Sequence, residues 1–231
     1  MSAHLQKNIL RLYFLITYLL VVWLVSDSIP FKSIYEQGGL AFSFMLAAFS
    51  LYSFYYVLPA LAITALVRVI SCRVRPGATR PAYIAAVISG AITTLLLYAN
   101  AKVFSLYGMF FNGFIFNLVT TPGGIESLGG SAASNEGFAL IAAGFLGLQI
   151  LILWLAHHLY STTPERPLAF RFLPVTITIA TVVIHMGFAL DSYTARKLGQ
   201  TAESIPFYQT VSARSLFKAL GFKAQRETNL K

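Results

Sequence analysis

Five long apolar stretches, separated by short polar segments, dominate the chain. They are Ile9–Ile29, Gly39–Val67, Ala82–Leu106, Gly137–Leu159 and Leu168–Leu190. Each is about 20 residues or longer, and a helix that rises 1.5 Å per residue needs about that length to cross a hydrocarbon core of about 30 Å. The pattern therefore predicts an all-α membrane protein with five transmembrane helices.

The distribution of arginine and lysine around these stretches predicts their orientation. Between the second and third stretches lie Arg68, Arg73, Arg75 and Arg80, with no acidic residue, whereas Tyr107–Glu136 contains no lysine or arginine. Short loops that are rich in basic residues stay on the cytoplasmic side of a membrane. The sequence therefore predicts that the amino terminus is inside and the carboxyl end outside.

Composition supports a membrane protein and limits the binding partners and cysteine-based sites that it could have. Hydrophobic residues make up 57% of the chain and charged residues 11%, compared with about 25% charged residues in soluble domains. In a membrane protein a net charge of +9 predicts contact with anionic lipid headgroups, and not with nucleic acid. The single cysteine, Cys72, excludes an intramolecular disulfide and a cysteine-based zinc cluster.

Two segments on the predicted outer side have helical character. The aromatic segment Tyr107–Val119 is typical of a short interfacial helix or a re-entrant segment. After the fifth stretch, Tyr208–Leu220 is predicted to form a basic amphipathic helix that ends at Gly221. We therefore expect a transmembrane domain at 1–192, followed by an outer linker with this exit helix at 193–231.

The exit helix supplies the candidate binding residues. Arg214 and Lys218 are four residues apart and share one helix face. The predicted apolar stripe of the same helix is formed by Ala213, Leu216, Phe217 and Leu220. Basic residues at an anionic membrane surface attract phosphate headgroups. The predicted lipid-binding residues are Arg214, Lys218, Arg196, Lys197 and Lys102.

Catalytic chemistry is missing from the sequence. His185 is the only ionisable residue well inside a predicted span, and Lys102 and Asp191 lie near the outer helix ends. His185 is interpreted as a packed, hydrogen-bonded histidine, since no carboxylate pair or nucleophile accompanies it. We therefore predict no catalytic residue, no metal ligand and no cofactor, and no enzyme activity for this 231-residue chain.

Several segments resemble the YejM/PbgA family of inner-membrane, sulfatase-like proteins of the alkaline phosphatase superfamily. The segments that carry the resemblance are Lys102-Val103-Phe104, Asn112, Asn117-Leu118-Val119, Ala189-Leu190-Asp191-Ser192-Tyr193, Ile205-Pro206-Phe207-Tyr208, Ser212-Ala213-Arg214-Ser215-Leu216-Phe217 and Leu220-Gly221. The resemblance implies five helices that anchor a periplasmic sulfatase-like domain, expected to follow Lys231. It implies a role in lipopolysaccharide and outer-membrane homeostasis. Arg214 matches the first of two paired arginines associated with lipid contact in the family, and Ser215 stands where the second would be.

The leading hypothesis is an inner-membrane anchor that binds anionic lipid, cardiolipin or lipid A, with a periplasmic carboxyl end. Other inner-membrane proteins that contact the helix bundle are a further predicted class of partner. The first alternative is the membrane part of a phosphoethanolamine or glycerophosphate headgroup transferase. The second alternative is a small transporter, against which the lack of an inverted repeat and of intramembrane charge argues.

Overall fold

The computed structural model describes residues 3–121, 132–162, 173–194, 198, 202, 204–208 and 213–221. In this part of the chain the regular structure is entirely helical, with no strand. The helices are α1 (Ala3–Ser26), α2 (Phe31–Glu36), α3 (Gly39–Val74), α4 (Arg80–Tyr107), α5 (Gly113–Thr120), α6 (Ala132–Thr162), α7 (Leu173–Thr194) and α8 (Arg214–Ala219).

The prediction of five membrane-spanning helices is confirmed. Five helices are long and apolar enough to cross a membrane, namely Leu5–Ser26, Gly39–Val74, Arg80–Tyr107, Glu136–Tyr160 and Leu173–Thr194. The first ends at Ser26, three residues before the predicted end at Ile29, because Asp27 and Ser28 form a turn that leads to Pro30. Pro59 does not end the second, which continues as one helix of 36 residues to Val74.

The helices form two compact units. The first comprises residues 1–27 and 53–168, and the second residues 28–52 and 169–231, so that α3 contributes its two halves to different units. In the first unit α1, α4 and α6 pack on one another pairwise. Buried residues recur every four positions along α1, at Ile9, Tyr13, Thr17 and Val21, as expected for one face of a packed helix.

The aromatic outer segment contains the short helix that the sequence predicts. Asn112 begins α5, since its side-chain oxygen accepts a hydrogen bond of 3.1 Å from the backbone N–H of Ile115. Ile115 is buried, whereas Phe114 and Phe116 are 69% and 56% exposed. The glycine-rich half of the outer loop lies largely outside the described residues. Its last part belongs to α6, which begins at Ala132 and therefore earlier than the predicted Gly137.

The exit helix is shorter than the sequence predicts. It begins at Arg214 and not at Tyr208, because a turn at Ile205 is closed by a hydrogen bond of 3.1 Å from Tyr208 N–H to the Ile205 carbonyl. The predicted stop is confirmed, since Gly221 follows the helix with a φ of +82°. That left-handed conformation is one that glycine adopts without steric cost.

Candidate functional site

The chain that leaves the fifth spanning helix is packed within the second unit. Ala202 and Ile205 are almost completely buried, and the Ser28 hydroxyl donates a hydrogen bond of 3.1 Å to the Ser204 carbonyl. Asp191, near the end of α7, accepts a hydrogen bond of 2.9 Å from the Leu198 N–H. These contacts fix the path of the exit segment, because both a backbone carbonyl and a backbone N–H are held by side chains from elsewhere in the unit.

Aromatic contacts hold the next part of the same segment. The Tyr208 ring packs edge-on against Phe188 of α7 with their centroids 4.9 Å apart, and lies 6.1 Å from the ring of Tyr52. Phe207, just before it, adopts a φ of +58° and is 61% exposed. A positive φ is unfavourable for a bulky residue, so the surrounding packing must hold the backbone of this turn in place.

Helix α8 is docked on α7 through one aromatic residue. Phe217 is 4% exposed, and its ring centroid lies 5.8 Å from that of Tyr193. The remainder of the predicted apolar stripe is not packed: Leu216 and Leu220 are 45% and 63% exposed. Phe217 is thus the member of the predicted stripe that docks α8, whereas Leu216 and Leu220 leave apolar surface exposed.

The predicted lipid-binding residues fall into three groups. Arg214 and Lys218 are exposed and lie one turn apart on α8, and thus on the same face. Lys102 is exposed near the end of α4 in the first unit, with its Nζ 5.4 Å from the centroid of the Tyr98 ring, which is a cation–π contact. Arg196 and Lys197 lie outside the described residues. Arg214 and Lys218 are thus the pair that the described part of the chain brings together.

His185 is a hydrogen-bonded residue of the second unit, as expected from the sequence. Its Nδ1 lies 2.9 Å from the Thr181 carbonyl, and its Nε2 lies 3.2 Å from the Tyr52 hydroxyl. Because a carbonyl only accepts, Nδ1 carries the hydrogen, and Nε2 is then the acceptor for Tyr52. Both ring nitrogens are used within the protein, which is the arrangement of a packing residue.

A buried polar cluster in the first unit was missed by sequence reasoning. Gln149 of α6, Tyr13 and Thr17 of α1 and Thr94 of α4 are each 0% exposed. The Gln149 side-chain oxygen accepts hydrogen bonds from Tyr13 at 2.5 Å and from Thr17 at 3.2 Å. Its amide nitrogen lies 3.5 Å from the Thr94 hydroxyl. We name these four residues the Gln149 cluster.

The Gln149 cluster joins three helices without any charge. The Tyr13 hydroxyl also lies 2.9 Å from the Ala86 carbonyl of α4, and a Cβ at Gly90 would overlap this hydroxyl. The sequence contains one signal for this cluster, since Gln149 is the only amide side chain in the span Glu136–Tyr160. Within the described part of the chain, no three His, Cys, Asp or Glu side chains come close enough together to hold a metal ion.

No protein-family model matches the chain, and no curated protein sequence is significantly similar to it. The assignment of a function therefore depends on the site itself. It depends first on the docked basic helix α8 and on the conformation of the exit segment.

Proposed function

We propose that this multi-pass protein is a membrane anchor that binds an anionic lipid headgroup through α8. The observation that carries the proposal is the docking of α8 on α7 by Phe217, with Arg214 and Lys218 exposed. A solvated linker would leave these two cations on a mobile chain. A docked helix holds them one turn apart, about 6 Å along the axis.

The chemistry of the pair suits a headgroup that carries more than one phosphate oxygen. Arginine offers a planar fork of donors that matches a phosphate, and lysine adds a compact charge. Leu216 on α8 and Leu220, which directly follows the helix, are also exposed, so that acyl chains beside the headgroup would also find apolar contacts. Cardiolipin is the first candidate and a lipid A phosphate the second.

The wider biological role follows from the family resemblance of the exit segment. We propose that the protein lies in a bacterial inner membrane with its carboxyl end in the periplasm, and that it anchors a sulfatase-like domain. Binding of anionic lipid would then report on envelope lipids in lipopolysaccharide and outer-membrane homeostasis. The residues that support this proposal are Asp191, Tyr193, Tyr208 and Phe217. Each of them belongs to a resembling segment and also makes a contact that fixes the exit path.

The experiment is a cardiolipin titration of the purified chain, followed by native mass spectrometry. A basic residue close to an anionic surface contributes about 1 kcal/mol. The double variant Arg214→Ala/Lys218→Ala should therefore lose about 2 kcal/mol, which corresponds to a weakening of roughly thirtyfold.

The matched control is Arg73→Ala/Arg75→Ala. It removes the same charge from two exposed arginines of the first unit, and it should leave the tightest cardiolipin binding unchanged. Equal weakening by both double variants would mean that only net charge matters. Unchanged binding in the Arg214/Lys218 variant would mean that α8 is no more than a connection.

A further inference from the structure

Arg68 lies in α3, one of the five helices that are long and apolar enough to span a membrane. It is six residues before the end of α3 at Val74, which places its Cα about 9 Å from that end. Its side chain is half-buried. A charged group within a membrane span is costly unless it is paired with an opposite charge or reaches the headgroups.

A buried amide positions this arginine. Gln6 of α1 is 1% exposed, and its side-chain oxygen accepts a hydrogen bond of 3.4 Å from the Arg68 Nε. Its amide nitrogen donates one of 3.0 Å to the carbonyl of Thr79. The orientation of the amide is fixed, because a guanidinium only donates and a carbonyl only accepts.

Gln6 thereby joins three segments of the first unit. These are the start of α1, the last turns of α3 and the turn between α3 and α4. That turn is itself closed by a hydrogen bond of 3.0 Å from Ala78 N–H to the Arg75 carbonyl, with Gly77 at a φ of +86°. Arg68 therefore contacts a side chain that is itself hydrogen-bonded to the turn between α3 and α4.

Nearly all of the described first unit lacks a residue that could supply a counter-charge. Residues 3–26, 53–121 and 137–162, which make up nearly all of the described first unit, contain no aspartate or glutamate. Among the described residues no acceptor contacts the terminal Nη1 and Nη2 of Arg68, whose hydrogen bond to Gln6 uses Nε alone.

We propose that Arg68, positioned by Gln6, binds the phosphate of an anionic phospholipid in the leaflet at this end of the first unit. The phosphates of a bilayer lie at about the level of the ends of the spanning helices. The two terminal nitrogens of a guanidinium can bind one phosphate with two hydrogen bonds. The lipid is favoured over a soluble anion because Arg68 lies within a span and not in the exposed turn beyond it. This site is separate from α8 and does not depend on it.

The test measures retention of dioleoylphosphatidylglycerol by native mass spectrometry, with dioleoylphosphatidylcholine as the uncharged comparison lipid. All variants carry Arg214→Ala/Lys218→Ala, so that the proposed α8 site cannot contribute. Arg68→Gln should weaken phosphatidylglycerol binding by about tenfold, since a net hydrogen bond to a charged group contributes about 1.5 kcal/mol or more. Arg73→Gln, on the same helix and exposed, should leave the binding nearly unchanged.

Two further variants distinguish lipid binding at a positioned Arg68 from attraction to the overall positive charge of this surface. Arg68→Lys keeps the charge but loses the fork and the Nε contact, and should recover only part of the affinity. Gln6→Met changes no charge, and should weaken lipid binding while circular dichroism shows that the helices are retained. If Gln6→Met does not fold, the comparison of Arg68→Gln with Arg73→Gln still decides the matter.

The proposal fails under three results. Equal weakening by Arg68→Gln and Arg73→Gln would indicate a non-specific basic surface. Unchanged binding in Arg68→Gln would remove the site. Displacement of the bound phosphatidylglycerol by millimolar sn-glycerol 3-phosphate would assign the site to a soluble phosphate ester.

Discussion

The close approach of α1 and α4 at Gly90 gives a stability prediction with an internal control. A Cβ at Gly90 would overlap the Tyr13 hydroxyl and would lie 3.0 Å from the Gln149 side-chain oxygen. Gly90→Ala therefore has to displace the hydroxyl that contacts both Gln149 and the Ala86 carbonyl. We expect this substitution to destabilise the first unit.

The magnitude follows from three contributions. Hydrogen bonds between membrane helices contribute about 0.6 kcal/mol each, and up to about 1.7. Overpacking of a close contact costs about 1–3 kcal/mol, and replacement of glycine by alanine in a helix returns about 1 kcal/mol. With two contacts of Tyr13 disturbed, the net loss in free energy of unfolding should be about 1–3 kcal/mol.

Gly147 provides the control in the same unit. A Cβ there would meet no described heavy atom within 4 Å. Gly147→Ala should therefore be neutral or slightly stabilising, through the helix preference of alanine alone. The assay is unfolding of the purified chain in mixed micelles of increasing SDS content, followed by far-ultraviolet circular dichroism.

A double variant identifies the cause. Tyr13→Phe alone should cost about 1 kcal/mol, because it removes the hydroxyl and its hydrogen bonds. In the Gly90→Ala background the same change removes the overlapping oxygen, so Gly90→Ala/Tyr13→Phe should be more stable than Gly90→Ala. The reasoning is refuted if Gly90→Ala behaves like Gly147→Ala, or if the two costs simply add.

Two further predictions concern orientation and the exit helix. In intact cells, Cys72 near the end of α3 should be protected from a membrane-impermeant maleimide. A cysteine placed at Ser105 in a Cys72→Ser background should react with the same reagent. The reverse pattern of labelling would invert the predicted orientation. Phe217→Ala removes the aromatic contact with Tyr193 but no charge, and should weaken cardiolipin binding in native mass spectrometry, whereas Phe114→Ala, at an exposed position of α5, should have little effect.

The five spanning helices could be predicted because hydropathy reflects the environment of about 20 consecutive side chains, and no tertiary contact is needed to read it. The predicted residues at which these helices begin and end were less accurate. The sequence did not reveal that Tyr208 would leave the exit helix, because its ring packs between Tyr52 and Phe188, which are distant in the chain. A tertiary contact of this kind overrides local helix preference.

The convergence of polar side chains could not be predicted for a related reason. Tyr13, Thr94 and Gln149 each stand among apolar residues on a different helix. Whether they meet depends on how each helix is rotated about its axis, and helices that are apolar on all sides give little periodic signal of that rotation. The contact between Gln6 and Arg68 could not be predicted for the same reason. The basic residues around this loop predict a positively charged surface, but not which arginine contacts a polar side chain of α1.

The way in which the first unit buries its polar groups supports an anchor over a transporter. Transport pathways need groups that exchange partners with water, ions or substrate, and they usually include ionisable residues. The Gln149 cluster contains only neutral groups that already bond to one another across three helices. Among the buried side-chain atoms that the structure describes, only Ser53 Oγ and Asn100 Nδ2 have no hydrogen-bond partner. Sliding of α1 against α6 would break the bonds of Tyr13 and Thr17 to Gln149 together, so helix movement of the kind that alternating access requires would carry an energetic cost in this unit.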